Sequence, residues 1–215
     1  VNTDVTVNIS KACVENRVKK LIVISTCAVY SGKQNNVYSE KDIVSPSSPY
    51  GLSKLNATKK ITRLLKDTNV SYFILRPNLI YGKNGKGNYR SLVNFINKLG
   101  VLPFSQATEK RSYVSVHNLC DFILYLLENN IESGIYNVSD NHDLSTKELC
   151  ELIAKAQNKK ISQLPVPKWV MKIVFKSIGK KDHYEKIYGE FRLNVDKALA
   201  TGWKPSPIDC RNFEL

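Results

Sequence analysis

Leu21-Ile22-Val23-Ile24-Ser25 is a short apolar run rich in β-branched residues, the pattern of a strand covered on both faces. Upstream, residues 2–17 (NTDVTVNISKACVENR) put Val5, Ile9, Cys13 and Val14 at helical spacing, which predicts an amphipathic helix. Downstream, polar loops with turn signals (SGKQNN, SPSSP) lead to a second helical stretch, started by Pro49 and reaching Asp67. Val70-Ser71-Tyr72-Phe73-Ile74-Leu75 reads as another buried strand, closed by Arg76-Pro77. Helix, apolar strand, helix, apolar strand is the alternation of a parallel α/β sheet.

Past Gly82 the texture changes. A Gly/Asn/Lys loop (GKNGKGN) precedes a helical stretch at Tyr89–Leu99, a strand at Tyr113–Val116, an apolar helix at Leu119–Asn129 and a short strand at Gly134–Val138. Ser145-Thr146-Lys147-Glu148 forms a capping box that opens a helix to about Gln157. The last sixty residues are punctuated by proline and less regular.

The chain of 215 residues suits one generous domain or two small ones, and 42% hydrophobic with 24% charged residues excludes disorder. The formal charge is +13, but the base is 25 Lys against 7 Arg. Arg supplies bidentate phosphate and guanine contacts, so this excess is read as composition and no nucleic-acid partner is expected. Cys13, Cys27, Cys120, Cys150 and Cys210 are odd in number and scattered, which predicts neither a disulfide framework nor a metal site. No apolar run approaches the roughly 20 residues of a membrane span, and a reducing cytoplasm is the expected compartment.

Tyr50-x-x-x-Lys54 places a phenol and an ammonium on one helix face. A neighbouring ammonium stabilises phenolate and makes a tyrosine a usable acid and base. With 11 Tyr in the chain, chance alone supplies about one such pair, so context must decide. That context is Ser25-Thr26-Cys27-Ala28-Val29-Tyr30, which begins at the carboxyl end of an apolar strand, where open α/β sheets hold their ligands.

Together these motifs resemble the extended short-chain dehydrogenase/reductases, specifically the NAD-dependent epimerase/dehydratases of nucleotide sugars. Asn2-Thr3-Asp4-Val5-Thr6 is similar to the family's Asn-x-x-Gly-Thr, with Val5 for Gly. Ser48-Pro49-Tyr50-Gly51-Leu52-Ser53-Lys54 is close to its Ser-Pro-Tyr-Gly-x-Ser-Lys signature. Leu75-Arg76-Pro77 with Tyr81-Gly82, Arg111-Ser112-Tyr113-Val114 and Gly202-Trp203-Lys204-Pro205 follow in register.

The resemblance implies an α/β fold: the carboxyl-terminal part of a Rossmann-like doubly wound parallel sheet plus a smaller mixed α/β substrate-binding region. Residues 1–81 would be the second half of the NAD-binding domain, with the strand near 113–117 and the helix 119–129 returning to it. Residues 82–215 would mainly bind substrate. Thr26, Tyr50 and Lys54 would be catalytic: Thr26 holds the sugar 4-hydroxyl, Tyr50 removes its proton, and Lys54 holds the nicotinamide ribose. Asn2, Ser25, Arg76 and Pro77 would join Tyr50 and Lys54 around NAD or NADP. Cys27, Ala28, Asn78, Leu79 and Arg111 would meet the substrate, Arg111 at its diphosphate because a guanidinium fork matches phosphate oxygens. The implied activity is UDP-glucose 4-epimerase-like, on a UDP-hexose or UDP-N-acetylhexosamine in polysaccharide biosynthesis. The rivals are a 4-keto reductase consuming NADPH and a non-catalytic sugar-nucleotide-binding fragment. A homodimer through helices 2–17 and 50–67 is also implied.

Departures from the family pattern narrow the chemistry. Its 4,6-dehydratases carry an Asp-Glu pair after the Thr, where this chain has Cys27 and Ala28, so water elimination is not expected. Leu79 replaces a common substrate-binding Asn, as in a bacterial branch acting on UDP-N-acetylhexosamines. No Gly-x-x-Gly-x-x-Gly occurs, although the family carries that fingerprint on its first strand and helix. The only Met is Met171 and the sequence opens on Val1. The expectation is a carboxyl-terminal portion that leaves strand 21–25 with an unpaired apolar edge and a tendency to self-associate.

Lys168, Lys172, Lys176 and Lys180 recur opposite Trp169, Ile173 and Phe175. A basic amphipathic helix can lie on an anionic membrane, but the expectation is a solvated face above a packed one, without membrane contact.

Overall fold

The computed structural model describes residues 2–30, 37–85 and 87–213; the loop SGKQNN at 31–36 and the side chains of Asn2 and Cys210 lie outside the described residues. In chain order the main elements are α1 (Asn2–Glu15), β1 (Lys20–Ile24), α2 (Pro49–Leu65), β2 (Ser71–Pro77), β3 (Leu79–Tyr81) and α3 (Asn88–Leu99). There follow β4 (Tyr113–Ser115), α4 (Val116–Glu128), β5 (Gly134–Val138), α5 (Thr146–Ala156), α6 (Lys168–Ser177) and α7 (Lys181–Tyr188). They divide between two compact units: one runs up to Asn78 and adds Leu119–Ser139 and Leu193–Pro205, and the other holds the remainder.

The first unit is built on a parallel sheet in the order β1-β2-β5. β1 and β2 pair from Lys20↔Ser71 to Ile24↔Leu75, and β2 and β5 from Phe73↔Gly134 to Pro77↔Val138. The central strand carries the apolar load, with Phe73, Ile74 and Leu75 wholly buried. β1 departs from the expected strand covered on both faces. Its five residues are only half-buried, because among the described residues it has a neighbour on one side alone. Ala57, Ile61 and Leu65 recur at four-residue spacing on α2 and close over Val70 and Ile74. Lys20 ties the sheet to α4 by donating to the carbonyls of Leu126, Leu127 and Asn129 at the helix carboxyl end, where a cation is favoured.

The Gly-Trp-x-Pro stretch clasps α4. Gly202 has φ 96°, and a Cβ there would lie 2.8 Å from the Tyr125 hydroxyl. Trp203 Nε1 donates to Asp121 at 2.8 Å, and its ring packs on Phe122 with centroids 4.6 Å apart.

In the second unit β3 pairs with β4 in parallel, Leu79↔Tyr113 to Tyr81↔Ser115. The strand near 113–117 therefore does not return to the three-stranded sheet. Val116 already begins α4, and the parts that join the first unit are α4 from Leu119 and β5. Tyr89, Val93 and Ile96 of α3 face Leu149 and Ile153 of α5 in the core. Asp140 is a buried carboxylate satisfied by three donors: the Tyr81 hydroxyl at 2.5 Å, the Ser115 N–H at 3.0 Å and Asn118 Nδ2 at 2.7 Å. The capping box forms as expected: the Glu148 N–H donates to Ser145 Oγ and the Ser145 N–H to the Glu148 carboxylate.

α6 differs from its expected packing. Met171 is buried and Phe175 half-buried against the core, but Trp169 is 67% exposed and Ile173 58%. Residues four apart share a helix row, and only the Met171–Phe175 row faces inward. Among the described residues no helix is long and apolar enough to cross a membrane.

Candidate active site

Ser48 opens α2: its Oγ accepts the Gly51 N–H at 3.1 Å and Pro49 supplies a pre-set φ, so the helix starts at a fixed place. Tyr50 stands in that first turn, 52% exposed, with Lys54 one turn further on. At the carboxyl end of β1 the chain turns through a short 3-10 helix, Cys27–Val29, capped by Thr26, whose Oγ1 accepts the Ala28 N–H at 3.1 Å. Accepting one bond leaves the Thr26 hydroxyl proton free to be donated. A Cβ on Gly51 would sit 2.5 Å from the Ala28 carbonyl oxygen and 2.9 Å from Pro46 Cβ. Only glycine lets α2 lie this close to the Thr26 turn. Lys54 Nζ reaches back to the Ile24 carbonyl at 3.0 Å, so the Tyr50 helix and the Thr26 strand end are tied together at a second point.

Ser25, also at this strand end, is 4% exposed and its Oγ has no hydrogen-bond partner among the described residues. Cys27 is buried and its thiol donates to Asn78 Oδ1 at 3.3 Å. Ala28 lies in the turn itself, and Pro77 ends β2 opposite Val138.

Arg76 lies in the interior. Its Nη1 donates to the Tyr30 hydroxyl at 2.8 Å, with the guanidinium 5.0 Å from that ring's centre. The Tyr30 hydroxyl donates onward to Asn137 Oδ1 at 2.9 Å, and Asn137 Nδ2 to the Tyr38 carbonyl at 3.0 Å. Burial pushes the Tyr30 phenol up against the opposing pull of Arg76, which holds it as a neutral donor. The sequence carries no advance signal for Asn137, whose role exists only once β2 and β5 are paired.

Leu79 and Arg111 belong to the second unit. Leu79 opens β3, half-buried against that unit's core. Arg111 Nη1 donates to the carbonyls of Gly189 (2.6 Å) and Glu185 (3.2 Å), and the guanidinium stacks 5.5 Å from the Phe191 ring centre. These acceptors are neutral, so the contacts orient the cation without cancelling its charge. The assignment at Asn2 lies outside the described side chains.

The model of the NAD-dependent epimerase/dehydratase family matches residues 1–139. The chain is 37% identical over 211 residues to a UDP-glucose 4-epimerase of Vibrio cholerae, covering 95% of this chain and 64% of that protein. It is 30% identical over 212 residues to an N-acetyl-alpha-D-glucosaminyl-diphospho-ditrans,octacis-undecaprenol 4-epimerase of Escherichia coli O157:H7, covering 94% and 62%. It thus spans less than two thirds of either relative's length. Among solved structures, a UDP-glucuronic acid 4-epimerase of Bacillus cereus in complex with NAD superposes with a TM-score of 0.75 at 20% identity, over 99% of this chain and 62% of that one. That likeness extends the parallel α/β fold to the whole chain, and with the family match it gives the identity of the molecule: the chain belongs to the NAD-dependent epimerase/dehydratase family.

Proposed function

We propose that the protein is an NAD-dependent 4-epimerase of UDP-sugars, acting on a UDP-hexose or UDP-N-acetylhexosamine. The observation that carries this reading is the close approach of Gly51 to the Ala28 carbonyl, which sets Tyr50 and Lys54 beside the Thr26 turn at the sheet's carboxyl end. The 37% identical UDP-glucose 4-epimerase supports the substrate class.

The residues present fit the nicotinamide end of the cofactor. Ser25 offers a buried hydroxyl still in need of a partner and Lys54 an ammonium at the strand edge; Arg76 and Pro77 are assigned to the cofactor on the family resemblance alone. Bound NAD supplies a reversible hydride acceptor for the sugar C4–H. In the proposed cycle Thr26 donates to the sugar 4-oxygen and Tyr50 takes the 4-hydroxyl proton as the 4-keto sugar forms. Tyr50 then returns that proton after the sugar has presented its other face. Lys54 stabilises the phenolate that accepts the proton at the start and re-forms when the proton is returned. Arg111, buried with neutral carbonyl partners that leave its charge uncancelled, is assigned to the diphosphate, and Cys27, Ala28, Asn78 and Leu79 to the sugar. Cys27 donates its thiol proton to Asn78 and Ala28 has no ionisable group, which argues against a 4,6-dehydratase. The cofactor part is assigned to residues 1–81 and the substrate part mainly to 82–215, in the cytoplasm.

The test uses protein expressed from its complete coding sequence, incubated with UDP-glucose or UDP-N-acetylglucosamine. The C4 epimer should form with NAD in catalytic amount and no net reductant. Inertness toward both sugars, with a 4-keto nucleotide sugar reduced at the expense of one NADPH per product, would establish the reductase instead, and UDP binding without turnover of any of these the binding fragment.

The 30% identical undecaprenol-linked relative supports a second substrate class, an N-acetylhexosaminyl diphosphate on a polyprenol carrier. The solvent-facing apolar row of α6 favours it.

A further inference from the structure

α6 keeps little of its apolar surface in the core. Met171 and Phe175 face inward, while Trp169, Ile173, Val174 and Ile178 at its end are exposed. Helical spacing puts Lys168, Lys172 and Lys176 in a row directly beside the Trp169–Ile173 row. From Lys168 to Lys181 the sequence holds five lysines and no acidic residue. Lys168 is engaged by Glu109; Lys172, Lys176, Lys180 and Lys181 are exposed.

A tryptophan two-thirds open to water is costly surface for a water-facing helix. An indole and a branched aliphatic side by side, flanked by a row of long-stemmed cations, match the boundary of a bilayer. There the ring and the aliphatic enter the acyl edge and the ammonium groups meet lipid phosphates. We propose that α6 is a docking surface for an anionic phospholipid bilayer, on which the second unit rests by the Trp169–Ile173 row with the lysine row at headgroup level. Charge complementarity selects this occupant: a second copy of the chain, itself carrying +13, would bring lysines against lysines. The surface stands independently of which sugar diphosphate the enzyme uses.

The chain reports on this contact itself. It contains two tryptophans, and the other, Trp203, is 2% exposed within the first unit. The protein is mixed with vesicles of equimolar phosphatidylglycerol and phosphatidylcholine, and separately with pure phosphatidylcholine. Co-sedimentation and tryptophan emission are followed. The expected result is binding to the anionic vesicles with a blue shift that Trp169→Phe abolishes. Lys172→Glu/Lys176→Glu should weaken partitioning about tenfold or more, and added salt should weaken it too. Trp169→Ser/Ile173→Ser should abolish it while the circular dichroism stays unchanged, since both side chains are on the surface. Three results would overturn the proposal: no sedimentation with anionic vesicles, undiminished binding by the double Glu variant, or a vesicle-free oligomer that the Trp169→Ser/Ile173→Ser variant disperses. The last would assign the face to a second copy.

Discussion

Tyr50 stands half in solvent, while Tyr30 and Tyr81 are buried and held up as neutral hydrogen-bond donors, Tyr30 by burial and Tyr81 by burial and the Asp140 carboxylate beside it. Tyr50→Phe should therefore lower turnover by about a hundredfold or more with little change in the urea midpoint, measured on one preparation. Gly51→Ala is the complementary case. Its Cβ would meet the Ala28 carbonyl oxygen at 2.5 Å, and overpacking of that kind costs about 1–3 kcal/mol. Activity should fall together with the melting temperature. Loss of activity at unchanged stability would show that the helix shifts without strain. The sequence pointed to Tyr50, Lys54 and Thr26 through their ordered spacing. It could not show why the residue after Tyr50 is glycine, because that reason is a carbonyl more than twenty positions away that only folding brings near.

At the scale of one element, α5 is opened by a capping box whose Glu148 also receives the Lys110 ammonium at 2.7 Å. Burial alone pushes the Glu148 carboxyl up, but the hydrogen bonds from Lys110 and from the Ser145 N–H and hydroxyl outweigh it and bring the carboxyl down to about 2. A carboxyl lowered on folding stabilises the protein fully above its unfolded value of 4.5 and loses that contribution as the pH falls toward 2. The side chain is 41% exposed, so solvent screening limits the effect to about 1 kcal/mol. Glu148→Gln should remove about that much at neutral pH and almost nothing near pH 2, as urea denaturation at the two pH values would show. α1 offers a second case. Val5 and Ile9 form an exposed apolar row one turn apart, which fits the homodimer through α1 and α2 that the family resemblance implies. Val5→Glu/Ile9→Glu should shift the sedimenting species to monomer. The capping box was legible because its signal is local and complete within four residues, whereas the exposure of Trp169 was not, because periodicity marks which residues share a row and not which row faces the core.

For the whole molecule, the edge of β1 that has no partner strand among the described residues matters most. The Ser25 N–H donates to Leu75 and the Lys19 carbonyl accepts from Ser71, so by strand alternation the odd-numbered groups face β2 and the amides of Ile22 and Ile24 face outward. Hydrogen exchange should find Ile22 and Ile24 fast and Val23 and Ser25 slow. Protection at Ile22 would show that another segment or a second copy pairs with that edge. Unpaired, such an apolar edge is a template for self-association. Lys54 already covers one outward group, the Ile24 carbonyl, which makes it a partial guard of the edge.

By itself the sequence determined the parallel α/β class and the helix starts at Pro49 and Thr146, and it supplied the proposed Thr26–Tyr50–Lys54 set. Each of these is written in short-range periodicity, caps or ordered motifs, which survive in one dimension. Only the tertiary structure decided that strand 113–115 pairs with Leu79–Tyr81, that Arg76 lies under Tyr30, that Asp140 is a buried hub, and that α6 turns Trp169 to solvent. Those outcomes depend on which surfaces meet across long stretches of chain, and burial is a property of the assembled packing rather than of any residue's neighbours in sequence.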